Sequence, residues 1–520
     1  MKQILFISLT ILFTQSIKAQ ITWAGDAAEI LYNNCTSCHN SNGIAPNSLM
    51  TYNEAQTYAP LIQSYVMNNI MPPWTADTSY QHFSQERVMT LAEKTILLDW
   101  ISDGTLSGDL SQAPAPPIYN GSQQLSGTPD LVINAPNYMS KATNTSDDYV
   151  CFVIPSDLTQ GKKVRAIEVI PGNLNTLHHC LVYSDPSLAN STDTIGGNCG
   201  GPVAGDLMMG YTPGATATIF PASVNFNSGM VLEAGTDIVL AMHYPEGSYG
   251  TFDQTKVNFY FYNDPVTNFR QIAAAPIIQD WTFTINANEI DSVEVTYNNI
   301  PVDFTLLSVF PHMHLIGEKI ESHAITPSND IIPFIKIPHW DFEWQDFYWF
   351  EYMKKIPANS EIYGKGVYKN TAANIHNPFD PPQDISAGLN TTDEMFLIYF
   401  HYMLYQAGDE NINVDSLTTI FLNTTENEIQ NSNVNAFPNP FIENTTLSFN
   451  LANSSFVSLS IFDLQGRLIQ KLNHNTLQAG TQEFIWNGKN NRQQHVDAGV
   501  YFYSLLIDGK QYSGKLIKQK

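Results

Sequence analysis

Met395-Phe396-Leu397-Ile398-Tyr399-Phe400-His401-Tyr402-Met403 is a run without charge, glycine or proline. Read as a strand, its period of two puts Met395, Leu397, Tyr399 and His401 on one face. Comparable short runs recur at Lys163–Ile170, Ile238–His243, Lys256–Phe261 and Phe304–Phe310, punctuated by Gly, Pro and Asn. From about residue 130 to 422 the pattern predicts antiparallel sandwich material, long enough for two such domains.

Outward from this region the composition agrees. The 520 residues are 43% hydrophobic, 14% charged and 12% aromatic, with 30 Gly and 29 Pro. Such a chain buries several cores and is not disordered, and at ~150 residues per domain three or four domains are expected. Twenty-four basic residues against 49 acidic give a net charge of −25, which argues against nucleic acid or anionic lipid as the main partner. Residues 1–19 read as a secretory signal: Lys2, an apolar run Ile4–Phe13, and Ala19 at the expected cleavage point. No later stretch reaches ~18 consecutive apolar residues, so no membrane span is expected. Residues 20–112 carry helical signals, with a capping box at Thr90–Glu93 and a helix from Leu91 to Ser102 stopped by Asp103-Gly104. Residues 113–129 begin Ala-Pro-Ala-Pro-Pro and read as a stiff linker.

Five cysteines in so long a chain are not a disulfide scaffold. Two of them stand in Cys35-Thr36-Ser37-Cys38-His39, the spacing at which two thiols bond to haem vinyl groups and the adjacent imidazole meets the iron. A redox dithiol does not need His39, and zinc would need a second ligand pair that the nearby sequence lacks. The segment resembles a small class I cytochrome c domain, on Cys35-x-x-Cys38-His39, Met71-Pro72-Pro73-Trp74 and the helix ending Asp103-Gly104. That resemblance implies one covalent haem c, with Met71 as sixth ligand and Met67 or His82 in reserve.

Three histidine features lie in the β region: His178-His179, His243 within Ala241-Met242-His243-Tyr244, and His312-Met313-His314. Residues i and i+2 of a strand face the same way, so His312 and His314 can reach one ion. Neighbours on a strand point apart, so His178 and His179 can share an ion only at a strand end or a bulge. Imidazoles with a thioether suit copper in both oxidation states. Taken in order, with Asp393-Glu394-Met395 following, these features resemble the copper type II, ascorbate-dependent monooxygenases, over residues 130–405. The resemblance implies two jelly-roll-like domains, 130–270 and 271–422, facing each other across a cleft. It assigns an electron-transfer copper (the H site) to His178, His179 and His243. It assigns the oxygen-binding copper (the M site) to His312, His314 and Met395, with Tyr399 beside the substrate. It further implies O2, a reductant (ascorbate or a redox protein), and hydroxylation of a substrate C–H bond. Members acting on peptidylglycine carry Arg two residues before the His-x-His pair and Asn two after the methionine; here Phe310 and Leu397 stand there. Without that pair a peptide carboxylate finds no grip, so peptide amidation is not expected; the substrate expected is a small or peptide-like molecule, with an uncharged or aromatic one suiting the apolar site. Of Cys151, Cys180 and Cys199, the resemblance favours a Cys151–Cys199 bridge, with Cys180–Cys199 the alternative.

A polar stretch, 423–436, separates a last module, 437–520, whose strands Val457–Phe462 and Gly499–Ile507 predict a small β-sandwich. It resembles the C-terminal sorting domain of type IX secretion, on Asn439-Pro440, Ile461–Arg467, Ala498-Gly499-Val500-Tyr501 and a Lys-rich end. That implies export across an outer membrane, secreted or cell-surface, with the secretion machinery as partner. The expectation is thus an exported haem- and copper-containing monooxygenase. The rivals are an exported electron-transfer or copper-binding protein without hydroxylase activity, and a plain cytochrome joined to adhesion domains.

Overall fold

A computed structural model describes residues 20–520 except 42, 118, 120–124, 126, 145, 195–203, 223–225, 264, 343, 416, 418–433, 452–454, 463–467, 492–493, 508–509 and 520. The expected signal segment, Cys199, most of the 423–436 linker and the Asp463–Arg467 text lie outside the described residues. The chain divides into two compact units, Met1–Thr418 and Thr419–Lys520.

The first unit opens with a wide helical turn, Trp23–Ala27, that runs into α1 (Ala28–Asn34), followed by α2 (Tyr52–Met67) and α3 (Leu91–Ser102). Helix α3 starts and stops where the sequence places it. In its capping box Glu93 accepts from the Thr90 N–H at 2.8 Å, and Thr90 Oγ1 accepts from the Glu93 N–H at 3.2 Å. Helix α2 has the same device at Thr51 and Glu54. Trp23, Leu31, Leu97 and Trp100 form the centre of this small helical core.

Two antiparallel sandwiches follow. In the first, one sheet has the order Leu131–Asn134, Lys256–Phe261, Lys162–Ile170, Asn227–Leu232, Phe269–Gln271, the last pair being parallel. Its partner sheet has the order Asp148–Pro155, Asp237–Tyr244, His179–Asp185, Asp206–Tyr211. In the second sandwich, Ala273–Asp280, Phe396–Leu404, Phe304–His312 and Tyr348–Ile356 face Glu289–Tyr297, Glu361–Asn370, Gly317–Ile325 and Ile331–Ile337. The strands read from sequence are present, each within two residues at its ends. Met395 lies one residue before its strand begins.

Alternation along the central strands assigns each side chain to a layer. Leu240 and Met242 enter the first sandwich core, whereas Val239 and Ala241 join Phe310, Phe347 and Tyr399 in a separate apolar cluster between the sandwiches. Likewise Phe396, Ile398 and Phe400 enter the second core. Both faces of these strands are therefore covered, which is why they read as unbroken apolar runs. The segment after α2 lies along the second sandwich: Ser84 N–H donates to Trp349 O at 2.7 Å, and Trp74 meets Tyr348 at 5.2 Å between rings. No helix among the described residues is long and apolar enough to cross a membrane.

The second unit is a sandwich of Asn435–Phe437, Thr445–Leu451 and Gly480–Trp486 against Leu468–Leu477, Ser455–Phe462, Gly499–Ile507 and Lys510–Lys518. Leu447, Leu459, Ile461, Trp486 and Leu505 fill its core.

Candidate metal and haem centres

The first cluster is built by strand register. His243, near the end of its strand, has His179 as one cross-strand partner and Tyr149 as the other. Directly opposed residues on a common face bring their side chains within reach. His178 lies just before the strand, its N–H donating to the His243 carbonyl at 3.0 Å. The strand end thus removes the conflict between adjacent histidines. Their Nδ1 atoms stand 3.3 Å (His178–His179), 3.1 Å (His178–His243) and 3.1 Å (His179–His243) apart. Three nitrogens held ~2.0–2.1 Å from one ion at tetrahedral angles would stand about 3.3 Å apart, so the triangle has the size of a metal site.

The surroundings fit imidazoles that stay neutral. Burial drives the His179 pKa well below its usual value, and the other site histidines push the same way. Behind the cluster, an Asp147 carboxylate oxygen lies 3.3 Å from His243 Nε2. Burial alone would raise the pKa of Asp147; hydrogen bonds from His243, Thr391 and the Glu246 backbone outweigh it and hold the carboxyl below its usual range. A carboxylate behind a metal-facing imidazole orients the ring and raises its basicity. Tyr149 stacks on His243 at 4.4 Å and 2°, and its hydroxyl bonds to Thr391 of the second sandwich.

The second set presents the opposite nitrogens. His312 ends its strand and His314 lies in the following turn, with Met313 buried in the second sandwich core. His312 Nδ1 is 2.5 Å from Gln345 Oε1, and His314 Nδ1 is 3.1 Å from the Asp393 carbonyl. Both partners only accept, so each Nδ1 carries the proton and each Nε2 keeps its lone pair for an ion. Gln345 Nε2 donates to the Phe342 carbonyl at 2.8 Å, which turns Oε1 towards His312. Burial lowers the His312 pKa to about 4 and that of His314 to about 3. Glu394, fully buried, ties Met395 to the same turn. Its carboxylate accepts from the N–H groups of His314 (2.9 Å), Ile316 (2.8 Å) and Met395 (3.2 Å). Burial raises its pKa to about 8 against those bonds.

The two sets are near neighbours. The Phe342 ring lies 6.3 Å from the His178 ring and 6.0 Å from the His314 ring, so one phenyl group spans the gap. Tyr399 packs in the apolar cluster between the sandwiches, its ring 6.4 Å from Phe310, and its hydroxyl shares a hydrogen bond with Tyr183. Phe310 is buried and stacks on His312, while Leu397 is buried as well. His401 is a buried core residue: Nδ1 meets Ser308 Oγ at 2.8 Å, and Trp349 and Phe347 sandwich its ring.

In the helical region Cys35 and Cys38 are free thiols. His39 Nδ1 is 2.8 Å from the Asn47 carbonyl, which again leaves Nε2 bare. The turn is locked by Asn40, which donates to Thr36 O and Ser37 O, and by Gly43, where a Cβ would sit 2.0 Å from the Cys38 carbonyl oxygen. These thiols and this imidazole fit covalent haem. Met71 is half-buried in the turn after α2; Met67 is exposed, and His82 faces Glu86 at 3.2 Å. Of the remaining cysteines, Cys180 is a buried free thiol, which excludes the Cys180–Cys199 pairing, and Cys151 is disulfide-bonded.

Asp147, Phe342, Gln345 and Asn47 were not legible as site residues. Each acts through a backbone group or a distant strand, and none carries a local motif.

Among curated proteins nothing matches. Three solved structures illustrate how weak the structural likenesses are. PorZ, a surface component of the type IX secretion system of Porphyromonas gingivalis, is 18% identical over 24% of this chain and 15% of that one, with a TM-score of 0.15. The Pseudomonas fluorescens DNA glycosylase AlkC is 17% identical over 17% and 29%, with a TM-score of 0.14. A Ruminococcus gnavus β-glucuronidase is 9% identical over 45% and 36%, with a TM-score of 0.10. The chain therefore spans well under half the length of each, and none bears on function. Residues 442–514 match the model of the FlgD Ig-like domain, a different domain from the sorting module the sequence suggested. Residues 280–425, which hold His312, His314 and Met395, match the model of the copper type II ascorbate-dependent monooxygenase, C-terminal domain.

Proposed function

We propose that this protein is a copper-dependent monooxygenase with two copper sites, His178/His179/His243 and His312/His314/Met395, supplied with electrons by a haem c on Cys35, Cys38 and His39. The observation that carries the reading is the division of nitrogens. Three Nδ1 atoms converge within 3.3 Å of one another in one set, while in the other both Nδ1 atoms are occupied and the Nε2 atoms are kept free. The match over residues 280–425 supports the copper chemistry.

Bound copper would supply one-electron redox chemistry and activation of O2 for attack on a substrate C–H bond. The protein's own groups set the rest. Asp147 orients His243, Gln345 orients His312, and the Asp393 carbonyl orients His314. Glu394 fixes the spacing between the His314 turn and Met395. The wall next to His312 is apolar, formed by Phe310 and Phe347, which suits an uncharged substrate and offers no cation to a carboxylate.

Export through residues 1–19 and recognition of residues 437–520 by a type IX machinery remain part of the proposal, as does a Cys151–Cys199 bridge. Activity is tested by oxygen uptake with the haem- and copper-loaded protein and a panel of small aromatic and aliphatic compounds. Uptake matched by a hydroxylated product supports the reading. Full metal loading without uptake for any compound would leave an electron-transfer or copper-binding protein.

A further inference from the structure

Phe342, Trp344 and Gln345, between strands Ile331–Ile337 and Tyr348–Ile356, lie beside all three candidate redox centres. At one end, Trp344 and the Cys38 thiol of the haem-attachment turn border the same residue, Gly214. A Cβ placed on Gly214 would lie 3.3 Å from Cys38 Sγ and 3.6 Å from Trp344 Cζ3, so Gly214 is flanked by both the thiol and the indole. Trp344 is buried, and Arg87 lies over its ring at 4.8 Å while its guanidinium reaches Asp346 at 3.6 Å. That pair clamps the segment on either side of Gln345. Gln345 in turn bonds to His312 Nδ1 and to the Phe342 carbonyl.

From Cys38 to the second metal set the path is one through-space step past Gly214 to Trp344, one peptide to Gln345 and one hydrogen bond to His312. The alternative, to the three-histidine cluster, branches at Gln345 through its bond to the Phe342 carbonyl, runs out along the Phe342 side chain and then crosses 6.3 Å between the Phe342 and His178 rings with no hydrogen bond to carry it. It needs several more covalent steps.

We infer that Trp344 and Gln345 conduct electrons from the haem directly to the copper at His312, His314 and Met395, without passing through the three-histidine cluster. This rests on the proposed haem and copper reading. The step is a one-electron transfer: haem iron(II) becomes iron(III), copper(II) becomes copper(I), and no bond to protein forms or breaks. An external one-electron donor reloads the haem.

The test is anaerobic stopped-flow optical spectroscopy of protein whose haem is reduced and whose copper is oxidised, after haem and copper have been counted. In the intact protein the reduced haem bands decay at a rate independent of protein concentration. His243→Ala, which empties the cluster, keeps that fast phase; His314→Ala loses it. Trp344→Leu, with haem and both coppers present, slows it about tenfold or more, and Trp344→Phe, which keeps an aromatic ring, lies between. An unchanged rate in Trp344→Leu overturns the route, as does a fast phase lost in His243→Ala but kept in His314→Ala. Protein that attaches no haem or binds no copper overturns the underlying reading as well, and the metal count reveals this before any kinetics.

Discussion

Gln345 illustrates how one side chain without a motif controls a metal site. Its Oε1 holds the His312 ring with Nε2 free, and its own amide is fixed by the Phe342 carbonyl. Loss of such an orienting group costs about 10–100-fold in metal affinity. Gln345→Leu is therefore expected to weaken one of two copper equivalents by that factor and leave the other unchanged, measured by competition with a copper chelator. Asp147→Asn should do the reverse, weakening only the copper at His178, His179 and His243. At this scale the sequence disclosed ligand types and little of their support. His312 and His314 could be paired by strand periodicity alone. The grouping of His178 with His179 needed the strand end, and Asp147 becomes visible only when the fold places it behind His243.

Strands and helices were more legible. The capping box at Thr90 gives α3 its first residue, and Thr90→Ala should cost about 1 kcal/mol, read as a lower midpoint in thermal unfolding of the helical region. Helix α2 carries the same signature at Thr51 and Glu54 but was hidden by Pro60 and a polar sequence. On strand Tyr348–Ile356, Lys354 donates to Gln81 at 2.7 Å and lies 4.9 Å above the Phe350 ring. Burial lowers its pKa from 10.5 to about 8. Below pH 8 the ammonium is charged in both states and its burial is unfavourable. Between about pH 8 and 10.5 the folded protein has lost this proton and the unfolded chain has not, so the group's contribution to stability rises with pH. The stability of the parent relative to Lys354→Met should therefore improve across that window in denaturant titrations; a flat difference would show that the lysine titrates normally.

For the whole molecule, alternation predicted sandwiches but not their contact. Leu240 and Val239 read alike in sequence, yet one enters a core and the other the cluster between the sandwiches. That contact brings the two metal sets to either side of Phe342. The C-terminal sandwich forms a separate unit with its own core. Removal of residues 419–520 should leave copper affinity and haem attachment unaltered, checked by copper titration and the haem absorption spectrum. Two coppers and one haem on this chain are read out together by the copper-to-haem ratio of protein made in a host that attaches c-type haem. Two tightly bound coppers per haem are expected, falling to one in His243→Ala and in Met395→Ala. Haem without tightly bound copper would contradict the two-copper reading.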